Sequence, residues 1–383
     1  VHKITPHQHT AHAKQTRSVE VAVIGGGIVG KACALGLAQL GLLTVEIAPD
    51  LDQIVPNPHG GQWAQRIYAF SPSTQALLAH LQVWDAIDHA RLQVVRDMRI
   101  YGDRGEKNDH LHLSAFEAGT PQLAWIGESN LIEHTLDQAS RFQNKLERIS
   151  DHVEKLEVDA EGVTLYLKSG GIIRTQLLIA ADGANSPIRS ELNINTAEEN
   201  YAQSAVVANF LCTYPHLETA FQWFLPGGDI MAMLPLPGKQ VSMVWSTSPE
   251  NAADLLKLDQ TQWQKRFASI ANGAIEQQLG ELTLNSMPAA FPLKKIRAKR
   301  FIGPESAPKV VLIGDAAHVI HPLAGQGLNL GLRDVAVLIN TIGKRESFRS
   351  LSYTVLLRRY ERQRQGDTSA LLGGTDKRKK LFS

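Results

Sequence analysis

Hydrophobic residues first gather in a short β-branched run at 19–24, closed by glycines, the pattern of a strand buried on both faces. From Ile28 the spacing changes. Val29, Cys33, Leu37 and Leu40 recur at helical intervals and predict a helix over 28–40, after which 43–48 is again strand-like. Strand, glycine turn, helix, strand is a βαβ unit, so the sheet starts parallel. Two later runs, 177–181 and 310–313, share the buried-strand character and lead into Asp182-Gly183 and Gly314-Asp315. In parallel sheets such carboxyl ends face a ligand crevice. Between them the segments 204–214, 220–225, 230–236 and 240–247 are strand-like, with turns at Pro226-Gly227-Gly228 and Pro237-Gly238. They predict a largely antiparallel sheet inserted into the parallel one. After Leu323 the pattern is helical to the end.

The turn Gly25-Gly26-Gly27-Ile28-Val29-Gly30 follows the first strand and opens the first helix, the context that gives a G-x-G-x-x-G its meaning. Gly25 permits the tight turn, Gly27 lets the backbone approach a pyrophosphate, and Gly30 lets helix and strand pack closely. The helix start at Ile28 supplies N–H donors and a partial positive charge. One position departs from the pattern. An acid is expected at the end of the second strand to hold the adenosine ribose, and Ala48 stands there. Glu46 and Asp50 each lie two residues away on the same side by strand parity. Either of them, or backbone groups, is left to hold the ribose, and Glu46 is equally a mid-strand residue with another partner.

Composition narrows the class. Hydrophobic residues make up 43% and charged residues 20%, as in soluble globular proteins. A net charge of +1 gives no global attraction to nucleic acid. The two cysteines, Cys33 and Cys212, fall on a predicted buried helix and a predicted strand and form no Cys-x-x-Cys. This excludes dithiol and Cys-ligated metal chemistry and suits a reducing, cytoplasmic compartment. Residues 1–18 contain no apolar run and carry His2, His7, His9 and His12, so they are expected to be a disordered tail. No apolar stretch is long enough to span a membrane as a helix.

The second acid-ended run continues as Ala181-Asp182-Gly183-Ala184-Asn185-Ser186-Pro187-Ile188-Arg189. The third continues as Gly314-Asp315-Ala316-Ala317-His318-Val319-Ile320-His321-Pro322-Leu323-Ala324-Gly325-Gln326-Gly327-Leu328-Asn329. With these motifs in this order, the chain resembles the aromatic-ring flavoprotein monooxygenases of the para-hydroxybenzoate hydroxylase class, over almost everything from Val19 onward. The stretch from His321 to Asn329 is closest to the ubiquinone-biosynthesis branch. The resemblance implies an α/β fold: a Rossmann-like FAD-binding domain of glutathione-reductase type at 19–187 and 293–383, an inserted, mainly antiparallel substrate domain at 188–292, and C-terminal helices.

It also implies roles. Asp315 meets the FAD ribitol, a use that suits a carboxylate at a strand end. Pro322, Gly325, Gly327, Leu328 and Asn329 lie along the isoalloxazine ring, where glycines let the backbone pass close. Asp182 belongs to a fingerprint linked to FAD and to the reduced nicotinamide. Arg66 matches an arginine that meets the FAD, and a guanidinium suits paired phosphate oxygens. The acid common two residues before that arginine is here Ala64. Glu128 stands where the family has a Glu or Gln near the flavin. His318 and His321 form a His-x-x-His, but the neighbouring glycines already have a use and no metal site is expected. No nucleophile or triad is evident; His321 and Pro322 are the candidates for residues close to the chemistry. Many relatives have an arginine after the glutamine of one inserted strand. Here Gln222 is followed by Trp223, either an aromatic wall for substrate or core packing.

The implied activity is hydroxylation of a polyprenylated phenol in ubiquinone biosynthesis. NAD(P)H, or a separate redox protein, reduces FAD; O2 then forms a flavin C4a-hydroperoxide that transfers oxygen to the ring. Such a substrate lives in a bilayer, so peripheral contact with the inner face of a membrane is expected, with Lys294, Lys295, Arg297, Lys299 and Arg300 and the 377–380 cluster as basic candidates. Partnership with a ubiquinone-biosynthesis protein complex is a further expectation. The chain also stops before the short segment with which relatives continue. Two other readings stand beside this one: another flavoenzyme on the same scaffold, such as a soluble-phenol hydroxylase or prenyl-chain reductase, and a non-enzymatic flavoprotein subunit.

Overall fold

The computed structural model describes residues 16–49, 63–102, 110–270, 273–320 and 326–382. Strand β1 (Thr16–Ile24) starts at Thr16, three residues before the strand the sequence predicts, so the expected tail is shortened at its inner end. Helix α1 (Ile28–Gln39) and strand β2 (Thr44–Ala48) complete the βαβ unit. Next come β3 (Ile67–Phe70), α2 (Pro72–His80), β4 (Gln93–Val95), β5 (Asp97–Tyr101), β6 (His110–Ser114), β7 (Ala124–Glu128) and α3 (Ser129–Arg141). The segment β8 (Leu146–Ser150), β9 (Val153–Val158), β10 (Val163–Leu167) and β11 (Ile172–Ala180) ends at the Asp182 turn, and α4 (Pro187–Glu191) follows.

The nucleotide sheet is parallel at its centre, in the order β2, β1, β11. Strand β8 joins β2 in parallel, as expected of a doubly wound sheet. A large apolar core fills both sides of this sheet, with Val21, Ala22, Val23, Val45, Ile47, Leu177, Leu178 and Ile179 fully buried.

The inserted sheet is built from β12 (Thr196–Cys212), β13 (Thr219–Phe224), β14 (Ile230–Leu236) and β15 (Gln240–Thr247). Helices α5 (Pro249–Leu255), α6 (Gln260–Ser269) and α7 (Ala274–Leu279) cover it, and β16 (Leu282–Leu284) and β17 (Ala289–Ala298) return to its edge. Pairing of β12, β15, β14 and β13 is antiparallel, as the turn signals predict. Strands β5 and β6 extend the same sheet, β5 lying parallel to β13. Residues 97–101 and 110–114 therefore sit in the inserted sheet, although the sequence places them with the nucleotide domain.

The chain closes with β18 (Ile302–Gly303), β19 (Val310–Leu312), β20 (His318–Val319), α8 (Gln326–Gly343) and α9 (Thr354–Phe382). Strand β19 joins β11 in parallel, which brings the Asp182 and Asp315 turns to the same end of the sheet as the Gly25 turn.

Candidate active site

The glycine turn separates packing from ligand space. Gly25 has φ +129°, and a Cβ there would stand 2.1 Å from the Ala181 carbonyl oxygen. A Cβ on Gly30 would stand 2.0 Å from the Gly25 carbonyl oxygen, so α1 packs against its own turn. Gly27 is different: it is exposed and a Cβ would meet no atom of the described residues within 4 Å. The open side of the loop is thus at Gly27, where α1 begins. Among the described residues no side chain caps this helix and its first turn carries no acid, an arrangement that suits an anion at its leading N–H groups. Ile28 directs its side chain into the core and contributes only its backbone to this end. This cradle fits a pyrophosphate.

The third motif forms a turn fastened from two sides. Gly314 adopts φ +58° and rests against Val29 of α1. Its N–H donates to Asp334 Oδ2 at 2.8 Å. His318 Nε2 lies 2.7 Å from the same oxygen. Arg189 of the second motif donates from Nη1 to the Ala316 carbonyl at 2.9 Å and from Nη2 to the Ala184 carbonyl at 2.8 Å. The two acid-ended turns are therefore joined, and Asp315 stands out between their ties. It is solvent-accessible, yet the walls around it desolvate its carboxyl and raise its pKa, an effect that His318 and Arg66 oppose. Tyr68 feels both Arg66 and Asp315, and Glu133 feels Arg66, so these four groups lie near one another around the turn. Burial raises both pKa values. A Cβ on Gly327, at the start of α8, would meet no atom of the described residues within 4 Å.

Arg66 is exposed on this cleft, its guanidinium 5.6 Å from the Phe291 ring. Glu128 does not open on it. It is buried, accepts a hydrogen bond from the Ala64 N–H at 2.6 Å and another from Arg91 Nε at 2.7 Å. Its pairing holds the segment leading into Arg66, because a carboxylate so enclosed needs donors on its oxygens. Asn329 is likewise a tie. Its amide donates to the Ala69 carbonyl at 2.7 Å, and its oxygen accepts from the Ser71 N–H at 2.9 Å and the Thr74 hydroxyl at 2.6 Å. Leu328 packs on the nucleotide core. Asp182 Oδ2 accepts from the Ile188 N–H at 3.1 Å in the first turn of α4, whose N-cap is Ser186, while Oδ1 is buried with no partner among the described residues. Burial is the largest influence on its carboxyl and raises the pKa. His318 is a buried structural histidine. His321, Pro322 and Gly325 lie outside the described residues, as do Asp50 and the histidines of the tail.

Glu46 takes the mid-strand role. It is fully buried and bonded to Arg148 Nε at 3.0 Å; Arg148 also reaches Asp137, which pairs with Lys31. Trp223 is also decided: it is 1% exposed and stacks between Tyr101 and Phe221 on the face covered by α5–α7. The other face of the inserted sheet turns toward β3 and β7. Across it the pairing aligns Val207, Val244, Ala232 and Gln222 in one uncharged row.

Residues 18–371 match the FAD binding domain family. The chain is 34% identical to 3-demethoxyubiquinol 3-hydroxylase of Escherichia coli, over 93% of this chain and 88% of that protein. It is 32% identical to the human mitochondrial ubiquinone biosynthesis monooxygenase COQ6, over 95% and 85%. The chain belongs to the FAD-dependent ubiquinone-biosynthesis hydroxylase family. Among solved structures, the probable FAD-dependent monooxygenase pqsL of Pseudomonas aeruginosa superposes with a TM-score of 0.77 at 17% identity, covering 93% of this chain and 94% of that one. Klebsiella pneumoniae HpxO, solved with FAD and uric acid, gives 0.69 at 19%, covering 95% and 88%. At such identities these two show the shared fold. As a member of the hydroxylase family, the chain is an FAD-dependent monooxygenase.

Asp334, Arg189, Tyr68 and Glu133 were not singled out in the sequence. Asp334 left a trace: it sits four residues from both Leu330 and Leu338, on the apolar side of α8.

Proposed function

We propose that this protein hydroxylates the aromatic ring of a polyprenylated phenol, using FAD, O2 and reducing equivalents from NAD(P)H. The observation that carries the reading is the uncharged row Val207, Val244, Ala232 and Gln222, opening beside the cleft that holds Arg66 and Asp315. Small apolar side chains leave room for a flat ring, and the Gln222 amide offers a hydrogen-bonding group to a ring substituent. Farther out on the same face, Ile100, Phe224 and Ile230 form an apolar cluster suited to an isoprenoid chain.

Bound FAD would supply hydride acceptance and oxygen activation. The protein's part is placement. The Gly27 loop and the start of α1 would hold the pyrophosphate, joined by Arg66. Asp315 would accept hydrogen bonds from the ribitol, and the backbone at Gly327 would lie along the ring. The apolar sheet face would exclude water and keep the phenol at reacting distance. Peripheral membrane contact follows from the substrate's chemistry. The basic cluster at 294–300 adds little, since Lys295, Arg297 and Arg300 already engage Glu199, Ser369 and Glu305. No helix among the described residues is long and apolar enough to cross a membrane. Turnover compared between a prenylated and a short-chain phenol tests the substrate class: preference for the prenylated one supports it, and equal turnover favours a soluble-phenol hydroxylase.

A further inference from the structure

A buried charged chain links the C-terminal helix to the Asp315 turn. Asp334 on α8 and Arg364 on α9 are both fully buried. Arg364 Nε donates to Asp334 Oδ1 at 2.6 Å, its Nη1 reaches Asp367 Oδ2 at 2.5 Å, and Nη2 contacts the Leu330 carbonyl at 3.5 Å. The other Asp334 oxygen holds Gly314 N–H and His318 Nε2, the two ends of the turn that contains Asp315. One carboxylate thus spans the turn like a staple, and one guanidinium fixes that carboxylate. A planar fork with several donors sets orientation as well as charge.

We propose that Arg364 is a positioning residue for FAD binding: acting through Asp334, it fixes the turn that presents Asp315 to the cofactor. The inference rests on FAD occupying this cleft and is independent of which phenol is the substrate. Without Arg364, Asp334 is a buried carboxylate short of its main counter-charge, and it is driven to take a proton or move. Either change loosens its grip on Gly314 and His318, and Asp315 loses its set direction.

The test is FAD titration of the purified full chain, followed by flavin fluorescence and visible circular dichroism, with the melting temperature of each apo variant. Arg364→Met should weaken FAD binding by about tenfold or more and alter the dichroism of the flavin that still binds. Arg364→Lys, which keeps the charge but not the fork, should recover part of the loss. Leu357→Ala is the control. It removes a fully buried side chain of the same helix outside the charged chain, and should lower the melting temperature while leaving FAD affinity within about twofold. Wild-type affinity in folded Arg364→Met, or an equal affinity loss in Leu357→Ala, overturns the proposal. Should Arg364→Met fail to fold, the double variant Asp334→Asn with Arg364→Met leaves no buried charge unpaired, since Asp367, the other partner of Arg364, is half exposed. If Arg364 acts through Asp334, that double variant loses no more FAD affinity than Asp334→Asn alone; additive losses contradict the proposal. A wild-type chain that bound no FAD would instead sink the cofactor assignment.

Discussion

Arg148 donates to Glu46 at 3.0 Å inside the nucleotide domain, and this pair withholds from the ribose the nearest described acid on β2. Asp137 and Lys31 extend it into a buried set of two acids and two bases. Its work is structural. Arg148→Met should destabilise the protein by about 3–5 kcal/mol, because it leaves a buried carboxylate without its partner. Glu46→Gln, a milder change, should leave FAD affinity within about twofold of wild type. Thermal or urea unfolding checks the first expectation and FAD titration the second; a large affinity loss in Glu46→Gln would return Glu46 to the ribose.

Gly25 and Gly27 should fail in different ways. Alanine at Gly25 meets the Ala181 backbone and an unfavourable φ, so Gly25→Ala should lower apo stability and cofactor binding together. Alanine at Gly27 meets no atom of the described residues, so Gly27→Ala should fold with a near-normal melting temperature and bind FAD at least about tenfold more weakly. Equal melting losses in both would contradict the division of labour.

Asp315 gives the apo protein a pH signature. Desolvation raises its carboxyl pKa, so the folded state binds more protons than the unfolded one in the window between the ordinary carboxylate value and the raised one. Its contribution to apo stability is full below that window and is lost as pH rises through it. Asp315→Asn should therefore melt higher than wild type near neutral pH, with the difference fading below the ordinary aspartate range, while its FAD binding is weakened. A melting difference that grew on acidification would reverse the sign and refute the account.

The two faces of β13 predict separate phenotypes. Trp223 stacks between Tyr101 and Phe221, so Trp223→Ala should cost about 3–5 kcal/mol of stability. Gln222 lies on the cleft face. Gln222→Ala should retain most of the stability and raise the KM for the phenol. Unfolding curves and steady-state kinetics on the two variants distinguish these outcomes.

What the sequence made legible was local. β-branched runs and glycine turns announced the parallel strands, and the turns at 226–228 and 237–238 announced the inserted sheet. What it hid was long-range pairing. Glu46 meets Arg148, Glu128 meets Arg91 and Asp334 meets Arg364, and nothing in the hydrophobic period specifies which charges meet across a core. Strand β5 joins β13 in parallel across more than a hundred residues, a contact no local pattern records. Strand β13 is buried on both faces and carries a large apolar side chain on each, so alternation alone left the orientation of Trp223 undecided.

Ring hydroxylation should draw its oxygen from O2. The most direct measurement incubates the FAD-loaded protein with NAD(P)H and a prenylated phenol under ¹⁸O-labelled O2, then determines product mass. The expected product is a hydroxylated ring carrying one labelled oxygen, with electron-donor oxidation coupled to its formation. Peroxide as the sole product, or a ring oxygen derived from water, would contradict it.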